Sequence, residues 1–216
     1  MDALRNQLKQ INHYTIHPEM VPFIGENYLN HKILIISESH FMPKKEQRQP
    51  SDEWYSSDFD QAVLEGNTNT NNVMLQHFSK KGHVLFRNLE NALQKVDASL
   101  DLNDISWYNF FQKPAKFGVS IKPTTKDKEI ALDTFDEIIK TLEPKIIVFV
   151  SSLSFGSLLK NRKWNHELRC HQFKNYNSRI GVVPHPTSRW WNTVCKSYNN
   201  KTGKQKFIDF INNQLK

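Results

Sequence analysis

Two short runs gather side chains suited to acid–base and hydrogen-bond chemistry: Ser37-Glu38-Ser39-His40-Phe41 and Pro184-His185-Pro186-Thr187-Ser188. A third candidate, Asn109, sits in the aromatic segment Trp107-Tyr108-Asn109-Phe110-Phe111. A carboxylate, two imidazoles and an amide at one mouth can position water, polarise a carbonyl oxygen and hydrogen-bond the edge of a planar heterocycle. Each residue also has a plainer reading. His185 can be a structural histidine at a strand end, His40 a turn cap, and Glu38 an acceptor for N–H groups at the start of a helix. The 216 residues include only seven glycines and no GxGxxG or GxxxxGK[ST] run, which argues against a dinucleotide fold or a P-loop.

The elements that must carry these residues follow from apolar periodicity. Lys32 to Ile36, Ile146 to Val150 and Ile180 to Val183 are short apolar runs bounded by polar turns, the pattern of parallel strands covered on both faces. Ile105 to Phe111 reads as a further strand from its aromatic and β-branched content. Between them, Ala3, Leu4, Leu8 and Ile11, then Val84, Leu85, Leu89, Ala92 and Leu93, then Ile130, Phe135, Ile138, Ile139 and Leu142 recur at helical spacing. Ser151 and Ser152 can cap a helix bearing Phe155, Leu158 and Leu159, and a closing helix from about Gly203 carries Phe207, Ile211 and Leu215. Residues 43–72 are polar, with Trp54, Tyr55 and Phe59 embedded, and read either as a lid carrying a helix fragment or as a surface loop. Strands alternating with helices predict one α/β domain over residues 1–216, three-layer α/β/α around a central, mostly parallel four-stranded sheet. In such a sheet ligands bind outside the strand carboxyl ends, so Glu38, Ser39, His40, Asn109, His185, Thr187 and Ser188 should converge on one crevice.

Composition narrows the partners. Lys and Arg total 29 against 22 Asp and Glu, a formal net charge of +7, which suits a polyanion such as DNA as well as plain solubility. Lys44, Lys45, Arg48, Lys160, Arg162, Lys163 and Arg189 are the basic residues expected near the mouth. The two cysteines, Cys170 and Cys195, are too few for a disulfide framework or a four-thiolate metal site, so a reducing cytoplasm, no metal and no cofactor are expected. The opening MDALRNQLKQINHY lacks a signal-peptide apolar core, and no run reaches the roughly 18 apolar residues of a membrane span, so no membrane partner is expected.

The runs PFIGENYLNHKILIISESHF, WYNFFQKP, IIVFVSSLSFGSLL and GVVPHPTS together resemble the uracil-DNA glycosylase superfamily over roughly residues 22 to 212. In that family the first strand ends in a motif such as GQDPYH or GEAPG, and a later strand ends in HPSP. HPTS is the more specific match, and the resemblance implies that His185 is the electrophilic histidine that donates to the base as negative charge grows on it. It further implies Glu38 as the water-positioning carboxylate, with Ser39 standing where some members have an Asp. Asn109 would read the base edge, Phe41 or Phe110 would stack on it, and His40 replaces the motif's Pro. Thr187, Ser188, Arg189, Trp190 and Trp191 would contact DNA, with a Trp in place of the apolar residue that fills the gap left by a flipped nucleotide.

The function expected from sequence is hydrolysis of the N-glycosidic bond of uracil or a related damaged base in DNA. A glycosylase-fold module that binds nucleic acid or protein without this chemistry is the alternative, given the altered first motif. A hydrolase of free nucleosides or nucleotides is a third class, separable by salt dependence.

Overall fold

The computed structural model describes residues 1–44, 48–56, 70–80, 82–161 and 179–216. Phe59, Trp164, Cys170 and Phe173, with the basic residues Lys45, Arg162 and Lys163, lie outside these described residues.

The sheet is built on β2 (Ile33–Ser37), whose five residues are all buried. It is flanked by β3 (Ile105–Asn109) and β4 (Ile146–Phe149), both parallel to it, and β5 (Arg179–Val182) adds in parallel beyond β4. A fifth strand, β1 (Phe23–Ile24), pairs antiparallel with β3, and the order across the sheet is β1-β3-β2-β4-β5. The expected count of four is thus corrected to five among the described residues. Two residues are too short to carry an alternating pattern, and β1 is set by its pairing with Ser106 and Trp107. Ile105–Asn109 also ends earlier than the aromatic run, which leaves Phe110 and Phe111 beyond the strand.

Alternation along the strands divides the core into two layers, as period-2 geometry requires. Leu34, Ile36, Tyr108, Ile147 and Phe149 face one side, against Leu8 of α1 (Asp2–Leu8), Phe135, Ile138 and Ile139 of α6 (Thr125–Leu142) and Leu158 of α7 (Ser152–Lys160). Ile33, Ile35, Trp107, Ile146 and Val148 face the other. There they meet Met74 of α4 (Thr70–Lys80), Leu89 of α5 (Val84–Val96) and Phe207 of a closing helix, α8 (Gly203–Leu215). Two short helices, α2 (Asn12–Ile16) and α3 (Tyr28–His31), complete the amino-terminal region. This is a three-layer α/β/α arrangement around a mostly parallel sheet. No helix among the described residues is long and apolar enough to cross a membrane.

The parallel strands β2, β3, β4 and β5 lie in the order β3-β2-β4-β5, so the chain moves outward in opposite directions from β2. The loops leaving β2 and β4 therefore diverge, and the crevice opens between those strand ends.

Candidate active site

A cleft of about 840 Å³ lies at the carboxyl ends of the strands, within the range of small-molecule sites. It is lined by residues that follow β2 (Glu38, Ser39, His40, Phe41), end β3 (Asn109), follow β4 (Ser151, Ser152) and follow β5 (His185, Thr187, Ser188, Trp190). Glu38 is the one carboxylate among the described residues of the lining.

The segment after β2 is held by a continuation of sheet-like pairing. Ser37 and Glu38 carbonyls accept from the N–H groups of Phe110 and Phe111, His40 O accepts from Ala115 N–H, and Met42 N–H returns to Ala115 O. Trp107 Nε1–H donates to Ser37 Oγ at 2.7 Å, placing the indole beneath the segment. Two contacts orient the Glu38 carboxylate. Oε2 accepts from Ser151 Oγ at 3.0 Å and Oε1 from Ile121 N–H at 3.3 Å. Ser151 Oγ in turn accepts from Ser154 N–H as the N-cap of α7, so the carboxylate sits at a helix N-terminus that favours its charge. A carboxylate oxygen has two lone pairs, and each Glu38 oxygen keeps one for a water in the cleft.

His185 is held by bonds within its own turn. Thr187 N–H donates to Nδ1 at 3.2 Å, and Thr187 Oγ1 lies 2.7 Å from the same nitrogen. An Nδ1 that accepts an N–H carries no proton, so the ring's proton is assigned to Nε2, which becomes a donor. Burial pushes the His185 pKa below its ordinary value, and the Glu38 carboxylate pulls less strongly the other way. The result is a neutral imidazole with a donor N–H.

Asn109, 5% exposed, contributes an amide whose side chain makes no hydrogen bond with any described residue, while its backbone carbonyl accepts from Gln112. The Ser39 hydroxyl is likewise without a described partner, and Ser188 Oγ is buried and unpaired. The Asn109 amide and the Ser39 hydroxyl are available to a ligand. His40 is committed: its Nε2 lies 3.1 Å from Thr70 Oγ1, which donates onward to Met20 O at 3.2 Å, and its ring meets Trp107 edge-on.

Two expected site residues lie elsewhere. Phe110 is fully buried, with Phe111, Phe135 and Phe149 around it, because the chain leaves β3 with this side chain on the α6 face. Trp191, 1% exposed, packs on Phe207 and cannot enter a base stack. Trp190 does line the cleft, with the Arg189 guanidinium 4.2 Å above its ring centre. Phe41 is 40% exposed at the mouth beside Phe117, an aromatic not anticipated from sequence. Lys44, Arg48 and Lys160 are not part of the lining, whereas Lys206 is. Ser151 was legible only as a helix cap, although the strand-end rule applied to β4 would have found it. Among the described residues, no cluster of three or more His, Cys, Asp or Glu side chains is placed to hold a metal ion.

The sequence matches no family model, and no curated protein matches it.

Proposed function

We propose that the cleft hydrolyses the N-glycosidic bond of uracil or a related damaged base in DNA. The observation that carries this reading is the neutral His185, locked by Thr187 N–H with its Nε2–H as donor, in one cleft with the unpartnered Asn109 amide and the oriented Glu38 carboxylate.

In this mechanism a flipped base enters the cleft, Asn109 pairs with its edge and Phe41 covers one face. As the bond from the base nitrogen to C1′ of the sugar breaks, the electron pair passes to the base and negative charge grows on its carbonyl oxygens. His185 Nε2–H strengthens its hydrogen bond to that oxygen without giving up its proton. A neutral donor does this with little change of protonation, and a preorganised donor of this kind is worth about 10²–10³ in rate. Glu38 holds a water against the cationic sugar and takes its proton as the new C–O bond forms. Ser39 adds a hydroxyl that can share this water.

The second reading is a glycosylase-like module that binds nucleic acid without cleaving it. One feature favours it: both Glu38 oxygens already accept protein hydrogen bonds, which leaves the carboxylate fewer lone pairs with which to hold and deprotonate a water.

The test is cleavage of labelled single- and double-stranded oligonucleotides carrying uracil, hypoxanthine or a mismatched thymine, followed by alkali. Strand scission by the native protein that His185→Ala and Glu38→Gln both reduce by orders of magnitude is the expected result. Salt-sensitive binding with no scission on any of these substrates would sink the hydrolytic reading in favour of the binding module.

A further inference from the structure

The cleft carries exposed or half-buried aromatic rings on its two sides. On the β3–β2 side stand Phe41 and Phe117, 40% and 44% exposed, their ring centres 6.0 Å apart. Phe117 precedes Gly118, whose φ of +72° turns the loop in a way other residues rarely adopt. On the β5 side stand Trp190 and Tyr198, each with a cation over its ring: Arg189 at 4.2 Å and the Lys206 ammonium at 4.6 Å. Neither cation has a carboxylate partner among the described residues, so both positive charges are unneutralised at the rim.

Rings in these positions need flat, unsatisfied partners. Bases within a duplex offer only their edges, because their faces are stacked on neighbours, whereas bases of an unpaired strand present faces. The segment that would have to fill the gap in an opened duplex supplies no wedge from its tryptophans: Trp191 is buried against Phe207, and Arg189 takes one face of the Trp190 ring, so that ring can stack on a base by its other face but cannot insert between two. Alternating rings and unpaired cations along one groove are instead the elements by which unpaired strands are held.

We propose that the two rims form a track for single-stranded nucleic acid, in which Phe117, beside the Phe41 that covers the bound base, stacks on the base to one side and Trp190 and Tyr198 on the base to the other. Arg189 and Lys206 contact the intervening phosphates. The inference rests on the cleft's being a base site, and it extends that reading to the strandedness of the substrate.

The experiment measures binding alone, so that it fails separately from the hydrolytic reading. Fluorescence anisotropy of the full chain is recorded with a labelled 15-nucleotide DNA lacking any damaged base, the matched RNA, and the matched DNA duplex, across a salt series. The expected result is that one of the two single strands binds at least about tenfold more tightly than the duplex. Phe117→Ala and Trp190→Ala each weaken that binding by about tenfold, while Phe117→Trp retains it. Lys206→Gln lowers the salt slope by about one. Phe117 is exposed, so its replacement leaves folding intact even if the tryptophan variant is unstable. Duplex binding as tight as that of both single strands, or a Phe117→Ala protein with unchanged affinity, overturns the proposal.

Discussion

The loops that leave β2 and β5 hold their key side chains by opposite means. After β5, His185 is held almost entirely by its own turn: Thr187 N–H on Nδ1, Ser188 N–H on the His185 carbonyl, and Trp191 N–H on Ser188 O. After β2, Glu38 is held by Ser151, 113 positions away, by Ile121, 83 positions away, and by the backbone of residues 110–115. A turn that satisfies its own polar groups travels as a sequence motif. A carboxylate satisfied by distant donors does not, and that is why HPTS stands out while SESH is a weaker signal.

The largest effect should come from breaking the local side. His185→Ala removes the donor while leaving the turn's backbone bonds, and cleavage of a uracil oligonucleotide should fall by about 10²–10³-fold with unchanged thermal stability. Burial holds the His185 pKa down, so its neutral form persists below the ordinary value of 6.5. Activity should therefore be retained at pH 6.5 and fall only as pH drops through the lowered pKa, a profile that a pH–rate series will reveal.

The distant side is exposed to acid through another histidine. His13 is 5% exposed, and its pKa is lowered to about 3, mainly by burial and secondarily by His17. Its ring packs against His17, which stacks on Trp54, and the Trp54 indole N–H donates to the Gln112 carbonyl within the segment that holds the β2 loop. With its folded value below the unfolded 6.5, the unfolded chain takes up the proton first. The stability His13 contributes is complete above about pH 6.5 and is lost as pH falls toward 3, at about 1.4 kcal/mol per pH unit within that window. Urea melts at pH 7 and pH 4.5 should differ accordingly, and His13→Gln should flatten the difference.

Ser151→Ala cuts the distant link at one atom. It removes both the α7 cap, worth about 1 kcal/mol, and a donor to Glu38, so turnover should drop by about tenfold while substrate binding holds. A parallel loss in binding would mean that Ser151 acts on the cleft as a whole and not through the carboxylate. The smallest effect should follow Gly203→Ala. A Cβ there would stand 2.8 Å from Pro184 Cγ and 3.1 Å from Trp190 O, so the turn before His185 must give slightly. A loss of about 1 kcal/mol in thermal melting with a few-fold lower turnover is expected. An unchanged rate would show that the His185 turn is insulated from α8.

Much of the framework was legible in the sequence. β2, β4 and β5 appear as apolar runs within one residue of their observed bounds, and α5, α6 and α8 as periodic stripes, because each buries its apolar residues along one repeating geometry. The strand-end rule brought Glu38, Asn109 and His185 to one cleft from topology alone. β1 was not legible, since two residues carry no period, and neither was α4, whose buried Val73, Met74 and His77 lie in a polar stretch.

By itself, then, the sequence determined the alternation of strands and helices, the basic charge, and the His185 turn, all of which depend on neighbours a few positions apart. Tertiary structure alone decided which aromatic rings reach the cleft. Phe110 and Trp191 looked like ligand contacts but turn into the core, while Phe117, Tyr198 and Lys206 arrive at the rim from loops and a helix. It alone also brought Ser151 to Glu38. Both outcomes depend on how strands order themselves across the sheet and on which face each loop leaves. Those choices are made by packing between distant segments, for which local spacing holds no signal.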